Sequence, residues 1–342
     1  TGSLLWSHNL IQSFGQVKVK DFTHPAPGTP YTLVGSLENN GATGIAENGF
    51  ILQLDTSDGL ASGGLRRFFT AGTSTFDRII WHDTQNQFYV SGKQVSTSTT
   101  GWLLLSFDAT ASLLGGSLIP NADPSTTTYA LAQDGDGTIF ASNRLNATGA
   151  LSDLVLHRFD ATGNPDMSVV MNTPDLQILT NLEVTTGGYL LQSLSTTGQI
   201  LTQIDRSGTS PWARSYDLGL RSTVGFNFHP SAITPEEGIL LVGDRFGGAG
   251  QIPTVLRLRN DGTAAADCID VFDYPITPVP LETDLTDWFG QAEDVEISYQ
   301  DFGWEPAFLE PAGGNCRETC PDQDECAAPF FLGYDEGDNF TA

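Results

Sequence analysis

Basic residues are scarce. The 342-residue chain carries 15 Lys and Arg against 41 Asp and Glu, a net charge of −26. Phosphate binding needs cations that release counterions, so a nucleic acid is an unsuitable partner and an anionic membrane surface is disfavoured. No run approaches 18 apolar residues, so no membrane-inserted helix is expected. Cysteine is missing from residues 1–267. An amphipathic 3.6-residue period over ten or more residues is missing too, so helix should be nearly absent. Methionine occurs twice and the chain opens at Thr1, which predicts a processed or trimmed segment. Disorder is disfavoured, because 39% of residues are apolar and 10% aromatic.

What the chain does have is internal repetition. A short β-branched or aromatic run ending in a small residue recurs as Tyr31–Gly35, Phe88–Gly92, Ile139–Asn143, Tyr189–Ser193 and Ile239–Gly243. A second run closes on an acid in four repeats: Gly49–Asp55, Gly101–Asp108, Leu154–Asp160 and Gln199–Asp205. The fifth, Thr254–Arg259, ends on Arg. A turn and a further strand follow, with Gly163, Gly208 and Gly262 as turn glycines and Ala111 in the glycine's place in the second repeat. Asp55, Asp108, Asp160 and Asp205 are expected as turn-formers, because Asp supplies an Asx hydrogen bond and glycine a free φ. One more candidate strand precedes each repeat, at 16–21, 76–81, 127–132, 176–184 and 231–234. About four strands per 50 residues predict an all-β protein, a β-propeller of four-stranded blades.

Five repeats are complete between residues 2 and 262. Ser3–Leu10 is left over at the start. Val279–Glu282, Asp294–Tyr299 and Glu305–Leu309 are left over at the end. Pairing of Ser3–Leu10 with a strand from 276–310 would close a ring of six blades, which is the favoured count; five blades plus a C-terminal arm is the alternative. The propeller is thus expected over 1–312, with a degenerate last blade at 263–312. Residues 313–342 form a Cys-containing linker and the opening of a following module.

Asp205–Trp212 with its polar β-run, and Asp134-Gly-Asp-Gly-Thr-Ile-Phe-Ala-Ser142, resemble the SBBP-type propeller repeat. That resemblance covers residues 1–262. It implies a module of a large, type IX-secreted cell-surface protein of the Bacteroidota. Ala111 and Arg259 depart from the repeat pattern.

Cys268, Cys316, Cys320 and Cys326 lack zinc-site spacing, and no His follows Asp267. An even number in an acidic, secreted-looking chain reads as two disulfides. Of three possible pairings, Cys268–Cys316 with Cys320–Cys326 is favoured, because the short pair closes the Pro321–Glu325 loop. His8, His24, His82, His157 and His229 fall in no metal motif and read as ordinary packed or surface residues. Gly247–Gly250 is followed by no Lys and opens no helix, so it reads as a hairpin loop. No nucleophile elbow or phosphate-binding loop is present. Asp322, Asp324, Asp335 and Asp338 offer hard oxygen ligands for calcium but complete no EF-hand loop. No other cofactor is expected.

The combination predicts a non-catalytic extracellular module at the cell surface, serving adhesion or structural spacing. Its partners would be neighbouring modules, a surface protein or glycan ligand, or a second copy in a homo-oligomer. The alternative is a secreted propeller enzyme, a glycan hydrolase or lyase. Arg66, Arg67, Arg78, Arg144, Arg221 and Arg245 share no repeat position, so no basic pocket is foreseeable.

Overall fold

A computed structural model describes residues 8–11, 16–39, 46–69, 72–97, 99–120, 129–145, 152–195, 198–216, 229–233, 238–247, 250–264, 271–288, 290–295, 298–301 and 330–331. Among these residues there is no helix, and every element is a strand. The chain divides into two units. One holds 1–147, 155–169 and 280–307; the other holds 148–154, 170–279 and 308–342.

A short strand β1 (His8–Ile11) precedes the repeats. The first repeat folds as β2 (Val17–Thr23), β3 (Tyr31–Asn39), β4 (Ala46–Leu54) and β5 (Ala61–Phe69). The second gives β6 (Thr73–His82), β7 (Gln87–Val95), β8 (Thr100–Asp108) and β9 (Leu113–Pro120). The third gives β10 (Tyr129–Asp134), β11 (Gly137–Leu145), β12 (Ser152–Phe159) and β13 (Pro165–Asn172). The fourth gives β14 (Gln177–Thr185), β15 (Gly188–Ser195), β16 (Gly198–Ile204) and β17 (Trp212–Tyr216). The fifth gives β18 (His229–Ile233), β19 (Ile239–Gly247) and β20 (Gly250–Leu258). Each repeat is one antiparallel meander, its strands hydrogen-bonded in chain order.

The middle strands read as unbroken apolar runs because both of their faces are covered. All of Phe88–Gly92 and Gly188–Leu194 are buried. In the first unit, Val34, Ile51 and Phe68 of one sheet pack with Phe76, Val90, Leu103 and Phe107 of the next. Phe68 and Phe107 meet edge to face at 5.4 Å. In the second unit, Leu190, Leu201 and Tyr216 pack with Ile239 and Leu258. Each fully buried aliphatic or aromatic side chain contributes about 1.5–3 kcal/mol.

The expectation of four strands per sheet needs correction: the first four sheets have five. The added strands come from the C-terminal segment. They are β21 (Val271–Asp273), β22 (Thr277–Pro280), β23 (Thr286–Asp287) and β24 (Gln291–Val295). β21 pairs with β17, β22 with β13, β23 with β9 and β24 with β5. This strap therefore visits the sheets in reverse of their order along the chain. β25 (Ser298–Asp301) then pairs with β1, with Leu10 opposite Tyr299 and His8 opposite Asp301. That is the pairing expected between Ser3–Leu10 and 276–310, seen for its described residues.

The degenerate last blade is corrected as well. Ser298 and Tyr299, at the end of one strand expected for that blade, lie in β25, which pairs with β1 as a separate two-stranded sheet. The other described strands expected there, around Val279–Pro280 and Asp294–Val295, join existing outer edges. The reason is physical: two to five exposed residues per strand cannot bury a face among themselves, whereas an open sheet edge offers ready backbone partners. Glu305–Leu309 lies outside the described residues. β26 (Phe330–Phe331), in the segment expected to open a following module, pairs with β20.

Candidate functional site

The turn positions have the geometry their sequence implies. Asp160 Oδ1 accepts the backbone N–H of Thr162 and Asn164 at 2.9 and 3.0 Å and the Thr162 hydroxyl at 2.7 Å. Asp108 and Asp205 repeat that pattern, and Asp55 accepts from Ser57. Gly163, Gly208 and Gly262 each donate to the carbonyl three residues earlier and sit at φ between +74° and +83°. The two departures are absorbed locally. Ala111 takes the left-handed conformation itself, at φ +59°. In the fifth repeat, Asp261 accepts from Thr263 in place of an acid at 259. Hydrogen bonds hold Asp205 down to about 2, the Thr209 and Ser207 hydroxyls first among them. The same cause lowers Asp55, Asp160 and Asp261, and the net effect on Asp108 is also downward despite its partial burial. These acids are structural. Gly247 pairs with Gly250 across β19 and β20, a hairpin end as expected.

A second recurrent feature carries chemistry. The first strand of four repeats bulges against the second: between Val19 and Asp21, Phe76 and Arg78, Leu179 and Asn181, and His229 and Ala232. A bulge adds one residue, twists the strand and re-aims its side chains. In the first two repeats it also explains the glycine that ends the apolar run of the second strand. A Cβ on Gly35 would lie 1.9 Å from the Lys18 carbonyl oxygen, and one on Gly92 the same distance from that of Thr75. In the third repeat the residues that would face Asn143 lie outside the described residues.

In the first two repeats the bulges gather charge. Lys20 and Asp77 are the extra residues, flanked by Asp21 and Arg78. Lys93 of β7 lies opposite Thr75. The chain has only three lysines, at 18, 20 and 93, and all belong to these two sheets. Lys18 is ion-paired to Glu38 and, at 3.2 Å, to Glu47, which raises its value. Half-buried Asp77 is pushed up by burial; the Thr75 hydroxyl at 2.6 Å and the charges of Lys20, Lys93 and Arg78 pull the other way. Asp21 is also pushed up by burial, and both its oxygens are taken. One accepts Phe22 N–H at 2.9 Å and the other Ile79 N–H at 3.0 Å, tying β2 to β6. On the opposite face of β2, Phe22 is 61% exposed and stands edge-on to Tyr31, which His24 covers at 4.5 Å.

The charge cluster can bind through its ionic groups, with hydroxyl- or carboxylate-bearing groups the natural fit. The cluster was missed in the sequence because the equivalent positions carry unlike residues, Lys20 against Asp77 and Asp21 against Arg78, so a search for shared residue types passes over them. The signal that could have found it is the confinement of lysine to residues 18–93.

The other expected site residues divide. His82 is buried, bonded through Nε2 to the Gly137 carbonyl at 3.2 Å and through Nδ1 to Thr84. His157 is buried between Phe140 and Phe159, and burial, with the Arg144 charge, lowers it to about 4. Its Nδ1 meets the Ser168 hydroxyl at 2.9 Å and that of Thr283 at 3.2 Å. Among the described residues no group of three or more His, Cys, Asp or Glu is placed to hold a metal ion. Cys268, Cys316, Cys320, Cys326, Asp322, Asp324, Asp335 and Asp338 lie outside the described residues. No protein-family model and no curated protein matches the chain.

Proposed function

We propose that the chain is a non-catalytic β-propeller module of a large, secreted bacterial surface protein of the SBBP-repeat kind, acting in adhesion or spacing. One observation carries the architecture: five successive antiparallel meanders, three of them closed by the same Asp-anchored turn, the first by a turn one residue longer from Asp55 and the fifth by a variant starting at Arg259. Sheets whose middle strands are buried on both faces suit blades stacked around an axis. The β1–β25 pair supports a small sixth sheet that closes the ring. The Lys20, Asp21, Asp77, Arg78 and Lys93 cluster is the contact face for a glycan or a protein surface.

Deleting the module from its parent protein is the test, read as attachment of the cells that carry it. Attachment should fall, and purified chain should turn over no glycan. Glycan hydrolysis that disappears in Asp77→Asn would overturn this reading and establish the enzyme alternative.

A further inference from the structure

We propose that residues 271–295 form an exchangeable strap. It leaves the outer edges of the sheets without unfolding them, and the vacated edges take the same strap from a second copy of the chain. This goes beyond the adhesion reading and does not depend on it.

The strap is held by little. β21 contributes three residue pairs, β23 two and β24 five, whereas β3 and β4 share nine. Four of the five β24 residues are exposed, and both residues of β23. Its ion pairs lie at the surface: Asp294 with Arg66 at 3.1 Å, Glu293 with Arg67, and Asp273 with Arg214 at 2.7 Å. Such pairs contribute little and are screened by salt. Two residues anchor the strap more firmly. Val295 is buried against the first sheet. Trp288 belongs to the same buried cluster as Phe68, Leu105 and Phe107; its backbone N–H donates to the Gly116 carbonyl at 2.9 Å and its indole N–H to Gln94 Oε1 at 2.6 Å. Segments with few buried contacts open locally at a free energy below that of the whole fold.

An opened strap leaves a specific receptor. β5, β9 and β17 present unpaired backbone edges, with Arg67 released, Arg66 and Arg214 kept in place by bonds to Ala111, Ser112 and Asp261, and the Trp288 site vacant. The strand that fits must be extended, carry an indole, and place a Glu-Asp pair five residues after it. Trp288 and Glu293-Asp294 of another copy meet all three conditions, and exchange of an identical element is a low-cost route to a dimer. The charge of −26 keeps copies apart at low salt, so exchange should rise with ionic strength.

Hydrogen exchange on the full chain tests release. Amides of 271–295 and of β5, β9 and β17 should exchange together, about tenfold or more faster than those of β3, β7 and β15. Trp288→Ala should accelerate only the first group. Equal rates in both groups, or equal acceleration by the variant, would overturn release. Exchange between copies is tested by mixing Arg67→Cys chain with Glu293→Cys chain at high salt. A disulfide joining positions 67 and 293 of different chains is expected. Its absence after prolonged mixing overturns exchange, and Arg67→Lys with Glu293→Asp provides the non-cross-linking control.

Discussion

Strands β15 and β24 both lie in antiparallel ladders, yet seven of the eight β15 residues are buried and four of the five β24 residues are exposed. β15 is specified by its own side chains: an apolar run that any neighbouring sheet would cover. β24 is specified by what it meets, an open edge and two guanidinium groups. The repeats are therefore a fold written in composition, and the strap is a fold written in complementarity. The difference has a thermodynamic side. Removing a side chain from a repeat strand leaves a cavity, while removing one from the strap mostly returns exposed chain to water.

The largest effect should come from the repeat side. Phe107→Ala empties the centre of the cluster in which Phe107 meets Phe68 and Phe76. A global loss of about 3–5 kcal/mol is expected, seen as a shifted denaturation midpoint with unchanged slope. A loss under ~1 kcal/mol would mean the repeat sheets are not closely packed there.

Acid should come next, at the place where repeat and strap meet. His157 of β12 is bonded to Ser168 of its own sheet and to Thr283 of the strap. Its folded value, about 4, lies below the ordinary 6.5, so the unfolded chain takes up the proton first. Stability is full at neutral pH, falls as pH drops below the ordinary value, and has lost this contribution entirely once pH is below the folded value. The gap corresponds to roughly 3 kcal/mol. Denaturation curves between neutral pH and pH 4 should show that decline, and His157→Phe should flatten it. An unchanged decline in the variant would assign it to other groups. The turn acids, held low by hydrogen bonds, act in a separate and more acidic window, between the ordinary carboxylate range and about 2 for Asp205.

Although Trp288 shares the core cluster of Phe107, Trp288→Ala should cost the whole fold less than the roughly 3–5 kcal/mol usual for truncating a buried Trp, because the strap detaches before the sheets unfold. A loss as large as that of Phe107→Ala would make the strap an integral layer of the fold and remove the contrast. Smallest of all, Gly163→Ala should cost about 1 kcal/mol. No atom lies within 4 Å of the added Cβ, so the cost is that of φ +82° alone. Thermal denaturation of the single variant measures it, and no loss would show that the turn relaxes.

The sequence made the repeat strands legible because burial on both faces forces continuous β-branched and aromatic runs, and because their turns need Asp and Gly at fixed offsets. Even the bulges left a trace, in Gly35 and Gly92. The strap left less: Val279–Glu282 and Asp294–Tyr299 read as strands, but nothing in them says which sheets they would join. Gln291-Ala-Glu-Asp-Val295 has neither alternation nor an apolar run, so its pairing with β5 is decided by Arg66 and Arg67, 228 and 226 residues away. The charge cluster was equally hidden: Lys20, Asp77 and Lys93 meet only after the bulges turn them toward one another. Periodicity reports what repeats, and both of these features are unique in the chain.

The most direct measurement of the strap's placement is a cross-strand disulfide in one chain. Arg67 lies opposite Glu293, while Asp273 belongs opposite Arg214 on a different sheet. Arg67→Cys with Glu293→Cys should oxidise to an intramolecular bond joining those positions, identified by mass spectrometry of the digested protein. Arg67→Cys with Asp273→Cys should not. Bond formation in the second pair, or none in the first, would contradict the reverse-order strap.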